Sequence, residues 1–177
     1  RVLLVTGQSK QPLPTKQQLA WHNSEYYLFT HFGPNTFTDK EWGHGDEPED
    51  VFNPTELDCR QWCRIAKAAG ATGIIITAKH HDGFCLWPSA YTDYDIMSSP
   101  FKRDIVGELA KACKKYDIAF CIYFTILDWH DKDYPVHNLG DSILDPKANM
   151  PVFVQKIKNQ LGELITNYHP YMLWFDG

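Results

Sequence analysis

The stretch GIIITAKHHDGF at residues 73–84 decides the fold, because an apolar run ends there abruptly in polar residues. Ile74, Ile75 and Ile76 form a β-branched run, which is typical of a strand buried on both faces of a parallel sheet covered by helices. Polar residues follow at positions 79–82, and Gly83 permits a turn. In α/β folds ligands bind at the carboxyl ends of the strands, so we expect the functional chemistry at the end of this strand.

The composition excludes several classes of partner. The chain has 177 residues, of which 44% are hydrophobic and 14% aromatic, so it can bury a core as one domain or part of one. A formal net charge of −5 without a basic run argues against nucleic-acid and anionic-membrane partners. No stretch is long enough for a membrane span, and apolar residues 2–5 are too few for a signal-peptide core. The five cysteines are odd in number and lie within helix or strand patterns, so we expect buried thiols.

Four apolar runs predict strands that alternate with helical patterns. The predicted strands cover residues 26–30, the run that begins at residue 73, residues 119–124 and residues 171–175. The predicted helices lie near residues 16–23, after Asp58 as N-cap, after Asp104 as N-cap, and from Asn149 to Pro170. No glycine-rich phosphate loop follows any strand, which argues against a Rossmann fold.

This order of elements predicts the fold class and the domain. About 40 to 50 residues separate successive strands, which implies right-handed crossovers and a parallel sheet. We therefore predict an α/β protein whose chain covers about the first four strands of a (β/α)₈ TIM-like barrel. Residues 1–177 would form the N-terminal half of a catalytic domain in a protein that continues. The long loop at residues 35–54 would fold over the site.

Each predicted strand ends in polar or aromatic side chains, which a parallel sheet brings to one edge. They are His31, then His80, His81 and Asp82, then Asp128, Trp129 and His130, and finally Asp176. Hydrogen-bonding groups beside aromatic rings suit a sugar, and Asp82 suits a loop-stabilising turn. Asp176 follows an apolar strand, where partial desolvation would leave it reactive as the nucleophile of a retaining glycosidase. Alternation along a strand sends neighbours to opposite faces, so geometry alone leaves one of the two adjacent histidines a structural role.

Five segments occur in the order found in a known enzyme family. They are HFG at 31–33, EW at 41–42, TAKHHDGF at 77–84, KRDIV at 102–106 and LWFDG at 173–177. From about residue 21 to its end the chain resembles the α-L-fucosidases of glycoside hydrolase family 29. The resemblance implies a retaining exo-enzyme that removes terminal α-L-fucose from a fucosylated oligosaccharide or glycoconjugate, with no cofactor and no metal. It also implies a secreted, periplasmic or lysosomal protein.

The same resemblance assigns roles to individual residues. It makes Asp176 the nucleophile and surrounds the fucose with His31, Glu41, Trp42, His80 and His81. Trp129 lies where the family often has an aromatic residue, and Tyr123 is a candidate ligand. The sequence departs from the family where Tyr123-Phe124-Thr125 replaces two tyrosines and a serine, and where Gly43 replaces a frequent tyrosine. The general acid/base of the family comes from a later strand or loop, so we expect the 177 residues alone to be inactive.

The sequence leaves two other functions open. A metal-dependent barrel hydrolase could use His31, His80, His81 and Asp176, although no His-x-His or His-Glu-x-x-His pair occurs. The second alternative involves no catalysis: the chain would be a fucose-binding protein or an inactive fragment. The sequence leaves the linkage preference, the natural glycan, the localisation and the oligomeric state open.

Overall fold

The computed structural model describes residues 12–138 and 143–177, whose strands form one parallel sheet in the order β1-β2-β3-β4. The strands are β1 (Leu28–Thr30), β2 (Gly73–Lys79), β3 (Ala119–Thr125) and β4 (Met172–Asp176). The α-helices of the described residues are α1 (Lys16–His22), α2 (Asn35–Thr38), α3 (Cys59–Ala68), α4 (Ile105–Tyr116) and α5 (Met150–Tyr168). The prediction of four parallel strands, each beside its neighbour in the chain, is confirmed.

The strand boundaries differ from the predicted ones by one to two residues. β1 begins at Leu28 instead of residue 26. β4 begins one residue later than predicted and includes Asp176, whose carbonyl oxygen accepts the Ile126 N–H at 2.9 Å. The predicted loop at residues 35–54 contains α2 and a 3₁₀ turn at Glu49–Val51.

Polar residues begin three of the helices as the sequence predicts. The Asp58 side chain accepts the Arg60 N–H at the start of α3, and the Asp104 side chain accepts the Gly107 N–H at 2.9 Å at the start of α4. Asn149 caps α5 in the same way. These contacts satisfy backbone donors that have no partner within the helix.

The sheet has two chemically different faces. Ile74, Ile76 and Ala78 lie on the helix-covered face within the main core, whereas Ile75 packs on the opposite face with Cys121 and Tyr123. Every residue of β2 is buried, which confirms the prediction of a strand covered on both sides. We call the part of the opposite face formed by Tyr27, Phe29, Met172 and Trp174 the open face. A parallel sheet with helices on one side and apolar side chains on the other is the arrangement expected of part of a (β/α)₈ barrel.

The cysteines agree with the expectation of buried thiols. All five cysteines are buried free thiols, four of them in helices or strands. Across residues 12–138 and 143–177, no helix combines the length and the apolar character that a membrane crossing requires.

Candidate active site

The carboxyl ends of the four strands bring the predicted site residues together. The rings of His31 and His80 lie 4.5 Å apart, after β1 and β2. The His80 ring stacks on Tyr123 of β3, with the ring centres 5.4 Å apart and an angle of 14°. Asp176 at the end of β4 completes the group, because Tyr123 donates its hydroxyl hydrogen to Asp176 Oδ2 at 2.8 Å.

Both adjacent histidines face this group. His81 Nε2 lies 3.8 Å from Asp176 Oδ2, and the His80 and His81 rings lie 4.3 Å apart. His81 Nδ1 lies 2.6 Å from the hydroxyl oxygen of Thr125. The structure therefore resolves the choice that strand alternation left open, because both histidines follow the last residue of β2 and belong to the turn.

Asp176 is a half-exposed carboxylate. Its side chain is 50% exposed, and besides the Tyr123 hydroxyl it accepts the Gly177 N–H at 2.8 Å. The Tyr123 hydrogen bond lowers the pKa of Asp176, aided by the Gly177 N–H and by His81. Desolvation, which the sequence predicts to make Asp176 reactive, raises this pKa, but the hydrogen bonds outweigh it among the described residues.

Burial has the opposite consequence for the histidines. Desolvation lowers the pKa of His80 to about 3, with a further contribution from His81. Desolvation also lowers the pKa of His31 and of His81, although Asp176 opposes the shift in both cases. All three rings are consequently neutral at pH 7, and each offers one N–H donor and one nitrogen acceptor. Within the described residues, His80 Nδ1 is buried and has no hydrogen-bond partner.

Trp129 contacts this group, whereas the side chains of Glu41 and Trp42 do not contact its histidines within the described residues. Trp129 is buried, its ring centre lies 5.3 Å from the His81 ring, and its backbone N–H donates to the His81 carbonyl at 2.9 Å. Glu41 is exposed and Trp42 is half-buried. The structure shows no hydrogen bond or ring contact between these two side chains and the histidines within the described residues. Gly43, the next residue, packs directly on Asp82.

Two of the predicted polar strand ends point elsewhere. Asp128 is buried and binds the Lys79 ammonium at 2.9 Å, so its carboxylate lies away from Asp176. His130 stacks on Tyr94, with the ring centres 4.0 Å apart. The expectation that residues 128–130 all contribute to one site is therefore wrong for Asp128 and His130, and holds only for the position of Trp129.

Asp82 has the turn-stabilising contact that the sequence predicts. Its Oδ1 accepts the Phe84 N–H at 2.7 Å, whereas its Oδ2 is buried and has no partner within the described residues. Burial raises the pKa of Asp82 to about 7, with a smaller contribution from Glu47.

Sequence reasoning missed Thr125 and Lys79. Thr125 is the last residue of β3 and contacts His81, so the rule that selected the other strand ends would also have found it. Lys79 is fully buried on the helix side, and its neighbourhood depends on an irregularity in the strand pairing that no sequence pattern announces. Across residues 12–138 and 143–177, no group of three or more histidine, cysteine or acidic side chains is arranged to hold a metal ion.

Known protein sequences and structures identify the family of the chain. The sequence model of the α-L-fucosidase family matches residues 8–177. The chain belongs to the α-L-fucosidase family. It is 43% identical over 170 residues to α-L-fucosidase 1 of Arabidopsis thaliana, and the match covers 94% of this chain and 31% of that protein. The chain thus spans about a third of the length of this fucosidase.

Solved structures of fucosidases and glycoside hydrolases share the fold. A glycoside hydrolase 29 family member from an unknown rumen bacterium superposes with a TM-score of 0.83 at 46% identity, covering 94% of this chain and 28% of that one. An α-L-fucosidase of Bacteroides thetaiotaomicron, trapped as a covalent intermediate with 2-fluoro-fucosyl fluoride, gives a TM-score of 0.79 at 32% identity, covering 93% and 42%. The four-stranded sheet is therefore part of the (β/α)₈ barrel of this fucosidase family.

Proposed function

We propose that the protein containing this chain is a retaining exo-α-L-fucosidase that removes terminal α-L-fucose from fucosylated oligosaccharides or glycoconjugates. One observation carries the proposal. A carboxylate at the end of β4, Asp176, accepts a hydrogen bond from Tyr123 and lies beside three neutral histidines in a chain of the fucosidase family. An anionic oxygen beside neutral donors and acceptors suits attack on a sugar whose hydroxyl groups need directional partners.

Asp176 is the proposed nucleophile. Its lowered pKa keeps it ionised at neutral pH, which attack on the anomeric carbon requires. In a double displacement the carboxylate oxygen bonds to that carbon while the glycosidic bond breaks, and a water molecule then releases fucose with its original configuration. The covalent intermediate trapped in the Bacteroides thetaiotaomicron fucosidase supports this mechanism for the family.

The histidines and aromatic residues are the proposed fucose-binding groups. His80 and His81 are buried, and desolvation lowers the pKa of all three histidines including the more exposed His31, so the neutral rings can donate to and accept from ring hydroxyls without a counter-charge. The unpartnered His80 Nδ1 supports this role, since an unsatisfied buried nitrogen costs free energy that a hydroxyl donor would recover. Trp129 would line the fucose site next to His81, although its ring is almost fully buried among the described residues.

Thr125 supports one protonation state of His81. The Leu127 N–H donates to the Thr125 hydroxyl oxygen at 3.1 Å, which favours donation of the hydroxyl hydrogen to His81 Nδ1. His81 then carries its proton on Nε2, on the side of Asp176. In that tautomer His81 helps to hold the nucleophile as an anion.

Glu41, Trp42 and Tyr123 complete the proposed site. Glu41 and Trp42 would contact fucose from the segment that packs on Asp82 through Gly43. Tyr123 would act through its hydrogen bond to the nucleophile, and its own raised pKa, caused by burial and by Asp176, keeps the hydroxyl protonated as a donor. We further propose that residues 1–177 form the N-terminal half of the catalytic domain and that the protonating carboxylic acid comes from a different part of it, so that these residues alone are inactive.

Trapping the intermediate tests the proposal. The complete encoded protein is incubated with 2-fluoro-fucosyl fluoride, and the labelled peptide is located by mass spectrometry. We expect one 2-fluoro-fucosyl group on Asp176, none in the Asp176→Asn variant, and α-fucose as the first product seen by proton NMR with an aryl α-L-fucoside. A label on another carboxylate would contradict the role of Asp176, and first-formed β-fucose would contradict retention. Binding of fucose without turnover would favour the non-catalytic alternative.

A further inference from the structure

A fully buried lysine joins the elements that carry the site. Lys79 is the last residue of β2, and its side chain has no exposed surface. Its ammonium donates to Asp128 Oδ2 at 2.9 Å and to Gln160 Oε1 at 3.2 Å, and it lies 4.7 Å from the ring centre of Phe124. Burying a charge is unfavourable unless hydrogen bonds and a counter-charge offset the lost hydration, and these contacts supply both.

An irregularity in β2 turns this lysine toward the helices. Thr77 pairs with Tyr123 and Lys79 pairs with Phe124, so Ala78 is one extra residue opposite β3. Regular alternation would put Lys79 on the same face as Thr77. The extra residue instead puts Lys79 on the helix side with Phe124, as expected of a β-bulge, which re-aims the side chains that follow it.

The two histidines depend on that change of direction. His80, the next residue, lies against Tyr123 on the side of the site, and His81 follows it. Without the extra residue, alternation would direct His80 toward the helices. The Lys79 ion pair therefore lies at the bulge, next to the residue at which the strand turns both rings toward Asp176.

Asp128, the ion-pair partner of Lys79, also binds the turn that carries Trp129. Asp128 Oδ1 accepts the Asp131 N–H at 3.1 Å while Oδ2 binds Lys79. Trp129 lies within this turn, and its N–H donates to the His81 carbonyl. The carboxylate consequently couples the loop after β3 to the end of β2, and Gln160 couples both to α5, which precedes β4.

We propose that Lys79 is a positioning residue for the fucosidase reaction, acting through His80, His81 and Trp129. This inference rests on the proposed function. Its ammonium fixes the ends of β2 and β3 relative to each other through directional bonds. An apolar side chain of similar length would fill the same volume but would leave those ends free to shift.

The double variant Lys79→Met/Asp128→Leu separates positioning from stability. Removing both charges replaces a buried ion pair by apolar side chains, a change that often leaves stability intact. In the complete encoded protein we expect a melting temperature near that of the wild type and a kcat on an aryl α-L-fucoside at least tenfold lower, with KM changed less. Lys79→Met alone leaves the Asp128 carboxylate without its cation and should melt at the lowest temperature of the series.

A matched control addresses loss of stability alone. Leu109→Ala makes a cavity in the core under α4, at a buried side chain on the helix-covered side of the sheet. It should lower the melting temperature while kcat, measured well below the transition, stays within about twofold of the wild type. If kcat of the double variant returns to the wild-type value together with its melting temperature, or if the double variant does not fold, the pair is only structural and the inference is overturned.

A spectroscopic measurement keeps the inference apart from the proposed function. In protein labelled with ¹³C-histidine, the ring signals of His80 and His81 should shift in the double variant and stay in place in Leu109→Ala. Unchanged ring signals would overturn the positioning role. A wild-type protein that cleaves no α-L-fucoside would refute the proposed function, while the ring signals would still report whether Lys79 positions the histidines.

Discussion

Replacing Asp82 by asparagine should stabilise the protein increasingly as the pH rises. Asp82 is fully buried between the two segments that hold the candidate ligands, since Gly43 packs on its side chain and His81 precedes it. One carboxylate oxygen accepts the Phe84 N–H, and the other has no partner within the described residues. Glu47 and Asp128 add negative potential, and Lys79 opposes them only in part. The fold therefore favours the neutral carboxylic acid.

The magnitude follows from the pKa. Burial raises the pKa of Asp82 from 3.8 to about 7, so between these values the folded protein binds more protons than the unfolded chain. Stability consequently falls as the pH rises through this window, and the loss is complete above about pH 7. Linkage gives a loss of about 2 kcal/mol at pH 5 and about 4 kcal/mol at pH 8. Asparagine cannot ionise, so the stability of Asp82→Asn relative to the wild type should improve by about 2 to 3 kcal/mol over this range.

Thermal unfolding of the complete encoded protein at pH 5 and pH 8 measures this change. Any constant cost of the asparagine amide cancels, because only the change with pH is compared. At about 1 °C per kcal/mol, the scale for an unfolding unit of several hundred residues, the difference in melting temperature should move by about 2 to 3 °C in favour of the variant. Asp39→Asn serves as control, since it removes the same charge from an exposed residue whose positive φ of 55° asparagine tolerates. A difference that is flat with pH after subtracting this control would refute the argument that Asp82 is held neutral.

Four further outcomes are expected. His80→Ala should lower kcat/KM on an aryl α-L-fucoside at least tenfold, which is about 1.4 kcal/mol of transition-state binding, and near-normal kinetics would remove His80 from the site. Asp176→Asn should keep inhibitor binding but lose turnover by several orders of magnitude, and azide added to Asp176→Gly should yield β-fucosyl azide, detectable by NMR. Gly43→Ala should destabilise the protein by about 1 to 3 kcal/mol in urea denaturation, because a Cβ atom there would lie 2.7 Å from the Asp82 side chain. Residues 1–177 alone should associate in light scattering, because the open face exposes aromatic rings, and a monodisperse monomer would contradict this.

The sheet and its functional edge could be predicted because both follow from local patterns. The isoleucine run 74–76 has the composition of a strand buried on two faces, and all seven residues of β2 are buried. Parallel strands place their carboxyl ends at one edge whatever the loops do, so His31, His80 and Asp176 meet there without any knowledge of the crossovers. Family resemblance added Glu41 and Trp42, for which the strand rule gives no reason.

The direction of individual side chains could not be predicted, because it depends on pairing between strands. The extra residue at Ala78 appears only in the register between β2 and β3, and it reverses the faces of Lys79 and His80. Asp128 has the same sequence context as the other strand-end acids, yet it binds a buried lysine 49 positions earlier in the chain. Both outcomes are set by long-range contacts that a single sequence does not display.

Two different effects set the charges of the site residues His80 and Asp176. His80 follows a strand that is buried on both faces, so desolvation removes its charge at neutral pH. At the end of β4 the Tyr123 hydrogen bond lowers the pKa of Asp176, so this carboxylate keeps its charge. A nucleophile has to be anionic while the groups that bind sugar hydroxyls work best when neutral; desolvation favours the neutral state of His80, and the tyrosine hydrogen bond favours the anionic state of Asp176. Because Tyr123 stacks on His80 and donates to Asp176, it joins the neutral and the anionic parts of the site, and Tyr123→Phe should raise the pKa of Asp176 while leaving the stacked ring in place.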